Sequence, residues 1–285
     1  MRDEQTCLEP RVGSSKFPRL VRSGWIGLAV WAFGALGAGP AVAASADFVL
    51  TSPASPAYYA YGALAGRKVQ LKGTVEVVGN VHSNDQVHLQ NGSRVTGNVS
   101  ASGTVQNQGT VTGTVRSGAP QVALPALQSE AELRALADRV MNGPVTLENA
   151  TIDDVLFVQG DVEIRGTLRG TGTIIAIGQI VLKEVSSSTL PPASERISLI
   201  AKKDVKFQKG RAFRGAIYAA GDVDVQKDSK LAGVLIAGRD LTIDKNTRLD
   251  FNRVDAVAPS IRLLAPLAGS TVADPRQRIE VGLSD

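Results

Sequence analysis

Between Val155 and Ile243 apolar residues stand at even separations inside short runs, and the runs recur at a fixed distance. Gly160-Asp161-Val162-Glu163-Ile164 returns as Gly178-Gln179-Ile180-Val181-Leu182, then as Lys203–Phe207, Gly221–Val225 and Arg239–Ile243. The steps between these phrases are 18, 25, 18 and 18 residues. The odd step holds seven extra residues, and Val185-Ser-Ser-Ser-Thr-Leu-Pro-Pro-Ala-Ser-Glu195 has the composition of an inserted loop that absorbs them. Whole columns then align. Val162, Ile180, Val205, Val223 and Leu241 form one, and Ile164, Leu182, Phe207, Val225 and Ile243 another. Leu156, Ile174, Leu199, Ile217 and Leu235 form a third; Val158, Ala176, Ala201, Ala219 and Ala237 form a fourth with small residues only. Alternation within a run is the mark of a strand with one buried face.

The stretch from Val69 to Val115 keeps the same period. Val69, Val87 and Val105 align, as do Leu71 with Leu89, Val77 with Val95, and Val81 with Val99. Short strands repeated about every 18 residues, with Gly and Asn between them, predict a solenoid. Equivalent residues then stack at about 4.8 Å, the ordinary spacing of paired strands. The fold class expected is all-β: a three-sided right-handed parallel β-helix with one inserted amphipathic helix. A left-handed hexapeptide helix also takes 18 residues per coil, but the 25-residue step and the irregular spacing within coils argue against it.

The inserted helix is expected over about Leu127–Met141. Ser129 with Glu132 makes a capping-box signature, and Leu133, Leu136, Ala137 and Val140 share a helical face. Phe157, Ile175, Ile200, Tyr218 and Ile236 form a fifth apolar column beside the Leu156 column, so one of the two faces outward. The helix is expected to cover that stripe. The domain boundaries that follow are 1–43 signal peptide, 44–118 N-terminal coils, 119–144 linker and helix, 145–252 C-terminal coils, and 259–285 partial immunoglobulin-like or capping strands.

Composition narrows the function. Arg11, Lys16, Arg19 and Arg22 precede an apolar run from Trp25 to Leu36, and Ala41-Val42-Ala43 supplies a cleavage site. The chain therefore reads as exported, to the periplasm, the cell surface or beyond. Cys7, the single cysteine, would leave with the signal. The net charge of +4 drops to +2 beyond residue 43, which is no footprint for nucleic acid. No phosphate loop, dinucleotide fingerprint or nucleophile elbow is present, and no nucleotide or other cofactor is expected.

The candidate chemistry is thin. His82 and His88, the two histidines, are expected to face solvent beside Asn84 and Asp85, too few ligands for a metal. The stacked Asp204, Asp222 and Asp240 read first as turn residues, compensated by Lys202, Lys203 and Arg239, and second as a calcium column. No catalytic, cofactor or metal residue is assigned, and the chain reads as a non-enzyme. The lysines Lys206, Lys209, Lys227 and Lys245 are expected on the outer face.

Three phrases carry a resemblance: Gly79-Asn-Val-His-Ser-Asn-Asp-Gln-Val-His-Leu89, Gly-Ala-Ile-Tyr-Ala-Ala-Gly-Asp-Val-Asp-Val (215–225) and Gly-Val-Leu-Ile-Ala-Gly-Arg-Asp-Leu-Thr-Ile (233–243). They resemble the bactofilin-like, polymer-forming β-helix repeats of bacteria, nearest to the exported, pilus-associated kind. The resemblance implies a right-handed three-sided helix, without cofactor, that in some relatives stacks end to end. The signal, the inserted helix and the tail depart from the cytoskeletal members. Pro259–Val272 and Arg278–Leu283 resemble the opening of bacterial immunoglobulin-like domains. The expected function is a structural or adhesive scaffold at the bacterial surface that joins through its coil ends or binds other surface proteins or glycans. The alternative is a carbohydrate-binding or carbohydrate-active β-helix.

Overall fold

The computed structural model describes residues 60–185 and 189–251, together with the backbone of 264–265. The predicted signal, residues 44–59 and nearly all of the tail lie outside the described residues. What is described is a parallel β-solenoid. Val162, Ile180, Val205, Val223 and Leu241 are paired in register, and so are Leu156, Ile174, Leu199, Ile217 and Leu235. The loop before Ile197 takes up the 25-residue step, since Ile174 still meets Leu199. The inward columns are fully buried and form one continuous core running through both tracts. Where the backbone turns between faces, glycines stack directly: a Cβ on Gly233 (φ 133°) would lie 1.9 Å from the carbonyl oxygen of Gly215. Only glycine tolerates both that torsion and that approach.

The order of coils along the rod differs from their order in the chain. In the row of ten strands, Val115–Arg116 lies at one end and Arg139–Asn142 at the other. The first described strand, Ala63–Ala65, lies mid-row, paired with Leu235, Ile236 and Ala237. Lys68–Leu71 pairs with Asp240–Ile243 in the nine-stranded sheet, and Glu76–Val78 pairs with Arg248–Asp250. The described chain thus enters its coils at the waist, winds to one end, returns along the outside, and winds from the far end back to the waist. The two tracts meet at a seam closed by strand ladders on three sides. Side chains close it further: Arg67 is paired with Asp240 at 2.5 Å, Arg248 with Glu76 at 2.6 Å, and the Thr74 hydroxyl donates to Asn246 Oδ1 at 2.6 Å.

The return path covers the outward apolar stripe, as its column predicted. Val122 and Leu133 are buried against Leu64, Phe157, Ile175, Ile200, Tyr218, Val234 and Ile236, with Leu124, Leu127 and Ala137 packed alongside. The Tyr218 hydroxyl donates to the Pro125 carbonyl at 2.7 Å, and burial pushes this phenol up to about 12. The helix is shorter than the spacing predicted. It spans Glu130–Ala135, with the expected capping box between Ser129 and Glu132. Val140 and Met141 belong instead to the strand Arg139–Asn142, which pairs with Leu156–Gln159 and adds a coil before Val155. The four residues have a better use for their backbone groups in the ladder than in a second helical turn. Residues 264–265 of the tail pair antiparallel with Ala126–Leu127, on the covering segment.

Candidate functional site

The carboxylate column stands at a corner between two faces, and its oxygens are already engaged. Asp204 Oδ1 accepts the backbone N–H of Asp222 at 3.0 Å, and Asp222 Oδ1 accepts that of Asp240 at 3.1 Å. Each side chain therefore holds the next coil in register. Arg239 donates to both oxygens of Asp222 at 3.1 Å and reaches Asp204 at 3.3 Å. Arg67, from the other side of the seam, grips both oxygens of Asp240. Its hydrogen bonds and charge hold the Asp240 carboxyl below the usual carboxylate range. The compensating cations are Arg239 and Arg67, with Lys206 3.8 Å from Asp204. Arg67 comes from the other tract, so spacing within the C-terminal repeats did not point to it. The column is a ladder of turn residues, the first of the two readings. An open depression of about 360 Å³ beside it is lined by Lys202, Lys203, Asp204, Ala220, Gly221 and Arg239. Asn80 and Asn98 do the same work in the N-terminal tract. Asn80 Oδ1 accepts the Asn98 N–H at 2.9 Å, and Asn98 Oδ1 accepts the Thr114 N–H at 2.9 Å.

The histidines separate. His88 stays on the outward row of the nine-stranded sheet, half-buried, between Gln70 and Gln106. His82 is not exposed: its residue is 1% accessible. Its outward parity was read correctly, but its face is covered by the return path. His82 Nδ1 lies 2.7 Å from the Ser100 hydroxyl and Nε2 lies 3.1 Å from Asn84 Oδ1, with the Tyr61 ring 5.2 Å away. Asn84 in turn clasps the return path, donating to the Val122 carbonyl and accepting the Val122 N–H, both at 2.8 Å. Burial pushes the His82 imidazole below its ordinary value, against a smaller opposing effect of the Asn84 hydrogen bond. A buried arginine, Arg211, donates to the Gly166 carbonyl at 2.6 Å, and burial lowers it to about 10. Among the described residues no cluster of three or more metal-ligating side chains occurs.

The rod ends are a different kind of surface. At one end Val140 and Met141 are 40% and 38% exposed, and Val145 and Leu147 are only half-buried. At the other, Val115 is 46% exposed, and Val105 and Val111 are half-buried. Val105, Val111, Val145 and Leu147 pack against the core, and successive in-register pairings connect Val145 to Val105 through the column of Val162, Val205 and Val69. Among the described residues the terminal strands have a partner on one side only. The described coils start near Ala60 and end at Phe251, both hydrogen-bonded near the seam: Asn80 Nδ2 donates to the Ala60 carbonyl and the Phe251 N–H to the Val78 carbonyl.

Neither a family model nor a curated protein matches the chain. Among solved structures, an ice-binding protein from the Antarctic ascomycete Antarctomyces psychrotrophicus is 14% identical, covering 68% of this chain and 96% of that one at a TM-score of 0.35. The ice-binding protein 1 DUF3494 domain of Shewanella frigidimarina is also 14% identical, covering 68% and 95% at 0.35. A glycosylated ice-binding protein from an Arctic yeast is 12% identical, covering 68% and 92% at 0.34. At these scores the likeness carries no weight on its own. The fold rests on the strand ladders, and the functional reading on the residues.

Proposed function

We propose that this chain is an exported, non-enzymatic β-solenoid scaffold of the bacterial surface, a stiff rod whose copies join end to end. One observation carries the reading: among the described residues both end coils are open strand edges with core-column residues uncovered, while the described coils begin and end at the waist. An unpaired strand edge is a template for another strand. Ten coils at roughly 4.8 Å give a rod of about 45 Å. Head-to-tail contact continues the parallel ladders and sets Val105 of one copy against Val145 of the next. Such a contact is heterologous and does not close, so it propagates as a filament.

The solved neighbours are named for ice binding. On this chain the outward row of the nine-stranded sheet runs Glu163, Val181, Lys206, Asp224, Thr242 and Gln70, a mixture of charges, amide and aliphatic side chains with no repeated rank. That surface favours the scaffold reading. The test is light scattering and negative-stain microscopy of the exported chain over a concentration series, beside Val105→Lys and Val145→Lys. Filaments that either lysine abolishes, with the circular dichroism unchanged, support the reading. A monomer at every concentration overturns end-to-end joining, and hydrolysis of a polysaccharide by the purified chain overturns the non-enzymatic part.

A further inference from the structure

The return path changes its grip where it crosses the seam. Over the C-terminal tract it is held by apolar packing on Phe157, Ile175, Ile200 and Ile236. Beyond Leu64 the outward column turns polar, running His82, Ser100 and Arg116. There the polar hold on the path is the Asn84 clasp on Val122, with His82 supporting Asn84 from beneath, beside a backbone bond from the Ala119 N–H to the Ala101 carbonyl and the apolar seating of Val122 itself. We propose that His82 is an acid-sensitive latch, whose neutral imidazole holds residues 119–124 on the N-terminal tract and whose protonation releases them.

The hydrogen bonds define the neutral ring. Asn84 Nδ2 donates to a carbonyl and Asn84 Oδ1 accepts an N–H, so the amide orientation is fixed by Val122. His82 Nε2 faces that same Oδ1 and must carry the proton. Nδ1 is then the acceptor for the Ser100 hydroxyl. A second proton on the ring forces the Ser100 hydroxyl to turn away and places a cation under the covering segment. Among the described residues, the groups facing the ring do not offset it. Leu64, Ser100, Asn84 and Val122 are uncharged, Tyr61 presents a phenol ring, and Arg116, next in the column, is itself a cation. Asp85, the nearest carboxylate in sequence, sits at the corner that Arg67 occupies.

The direction follows from linkage. Burial lowers the His82 pKa in the closed form relative to a released, solvated ring, so the released form binds more protons below the ordinary 6.5. The closed form is therefore fully favoured above that value. It loses stability as pH falls from 6.5 to the lowered value, by at most about tenfold per pH unit for one coupled proton. The apolar grip on the C-terminal tract is made of aliphatic and aromatic side chains, and burial pushes its Tyr218 phenol further from this range, up to about 12. Release is thus confined to the stretch that crosses onto the N-terminal tract.

The experiment is hydrogen exchange of the whole chain, followed by mass spectrometry of a 119–125 peptide at pH 7.5, 6.5, 5.5 and 5.0, corrected for intrinsic exchange rates. Protection of that peptide is expected to fall several-fold to tenfold across the window, with a 130–137 peptide unchanged. In His82→Gln, which keeps a neutral donor, the fall is expected to vanish. Equal protection at pH 7.5 and 5.0, or an undiminished fall in His82→Gln, overturns the latch. Should His82→Gln not fold, imidazole proton titration of the unaltered chain decides it: a His82 midpoint at or above 6.5 overturns the latch, and one clearly below supports it.

Discussion

Leu133→Ala tests whether the return path is a unit distinct from the solenoid it covers. Leu133 is the buried residue of the short helix, 1% accessible, and its side chain meets the outward stripe of Phe157, Ile175 and Ile200. Truncating a buried leucine costs about 2–5 kcal/mol, depending on how far the site collapses. Here the lost methyl groups sit beneath a surface helix of six residues that can settle toward the sheet, so the lower half of the range applies, about 2–3 kcal/mol. If the path opens by itself, that loss appears as a roughly 30- to 150-fold fall in hydrogen-exchange protection over 126–138. Peptides from the inward columns of the nine-stranded sheet, such as 203–209 and 221–227, keep their protection, because Val205, Phe207, Val223 and Val225 make their contacts inside the coil. Equal loss in both sets would refute the separation and make the path part of the folding core. No loss in either would mean that Leu133 does not seat the helix.

Other outcomes follow from the same contacts. Tyr218→Phe leaves the buried Pro125 carbonyl without its donor and is expected to cost about 1–2 kcal/mol, read as faster exchange of 122–127 with little change in the melting temperature. Gly233→Ala puts a methyl group onto the Gly215 carbonyl at a backbone angle closed to alanine, and soluble yield is expected to collapse. A normal yield and melting point would refute that packing. Arg67 holds the Asp240 carboxyl below its ordinary 3.8, so the seam pair contributes fully above that value and is lost as pH falls through the lowered one. Arg67→Gln is accordingly expected to shift acid unfolding to higher pH, while leaving any change between pH 7 and 5.5 untouched.

The columns were legible because solenoid contacts repeat at a constant step, so a comparison of each residue with the one 18 further on finds its neighbour. The cover over Phe157–Ile236 was legible for a related reason: an apolar column with outward parity needs something against it. The seam was not found, because it pairs Ala65 with Ala237 and Leu71 with Ile243, 172 residues apart, and no constant step reaches it. A signal did exist. Leu64-Ala65-Gly66-Arg67-Lys68-Val69-Gln70-Leu71 matches Ile236-Ala237-Gly238-Arg239-Asp240-Leu241-Thr242-Ile243, the phrase of the neighbouring coil. Val140 fits both a helical face and a strand, and its fate was settled by the open edge of Leu156–Gln159. His82 was misplaced because parity says which way a side chain points and nothing of what lies over it.

The seam also bears on the ends. It is a coil edge of this chain joined to another coil edge, bridged covalently only by the long return path, and it shows what such a contact needs. Ladders on three sides supply the backbone pairing, and Arg67–Asp240, Arg248–Glu76 and Thr74–Asn246 fix the register. The outer ends keep the ladders and the apolar columns, but one of them brings almost no charge to a contact: the coil from Thr104 to Gly118 has one charged residue, Arg116. Register at a contact between copies therefore depends mainly on the valine columns. Charge pairs fix register more sharply than apolar columns do, because a mispaired charge costs energy where a mispaired valine still finds a valine. On the proposed end-to-end joining, the internal seam is thus the more specific of the two contacts. If the copies join as proposed, a substitution that breaks the seam, such as Asp240→Lys, is expected to free the waist edges to join other chains and to turn ordered filaments into branched aggregates in the same microscopy assay.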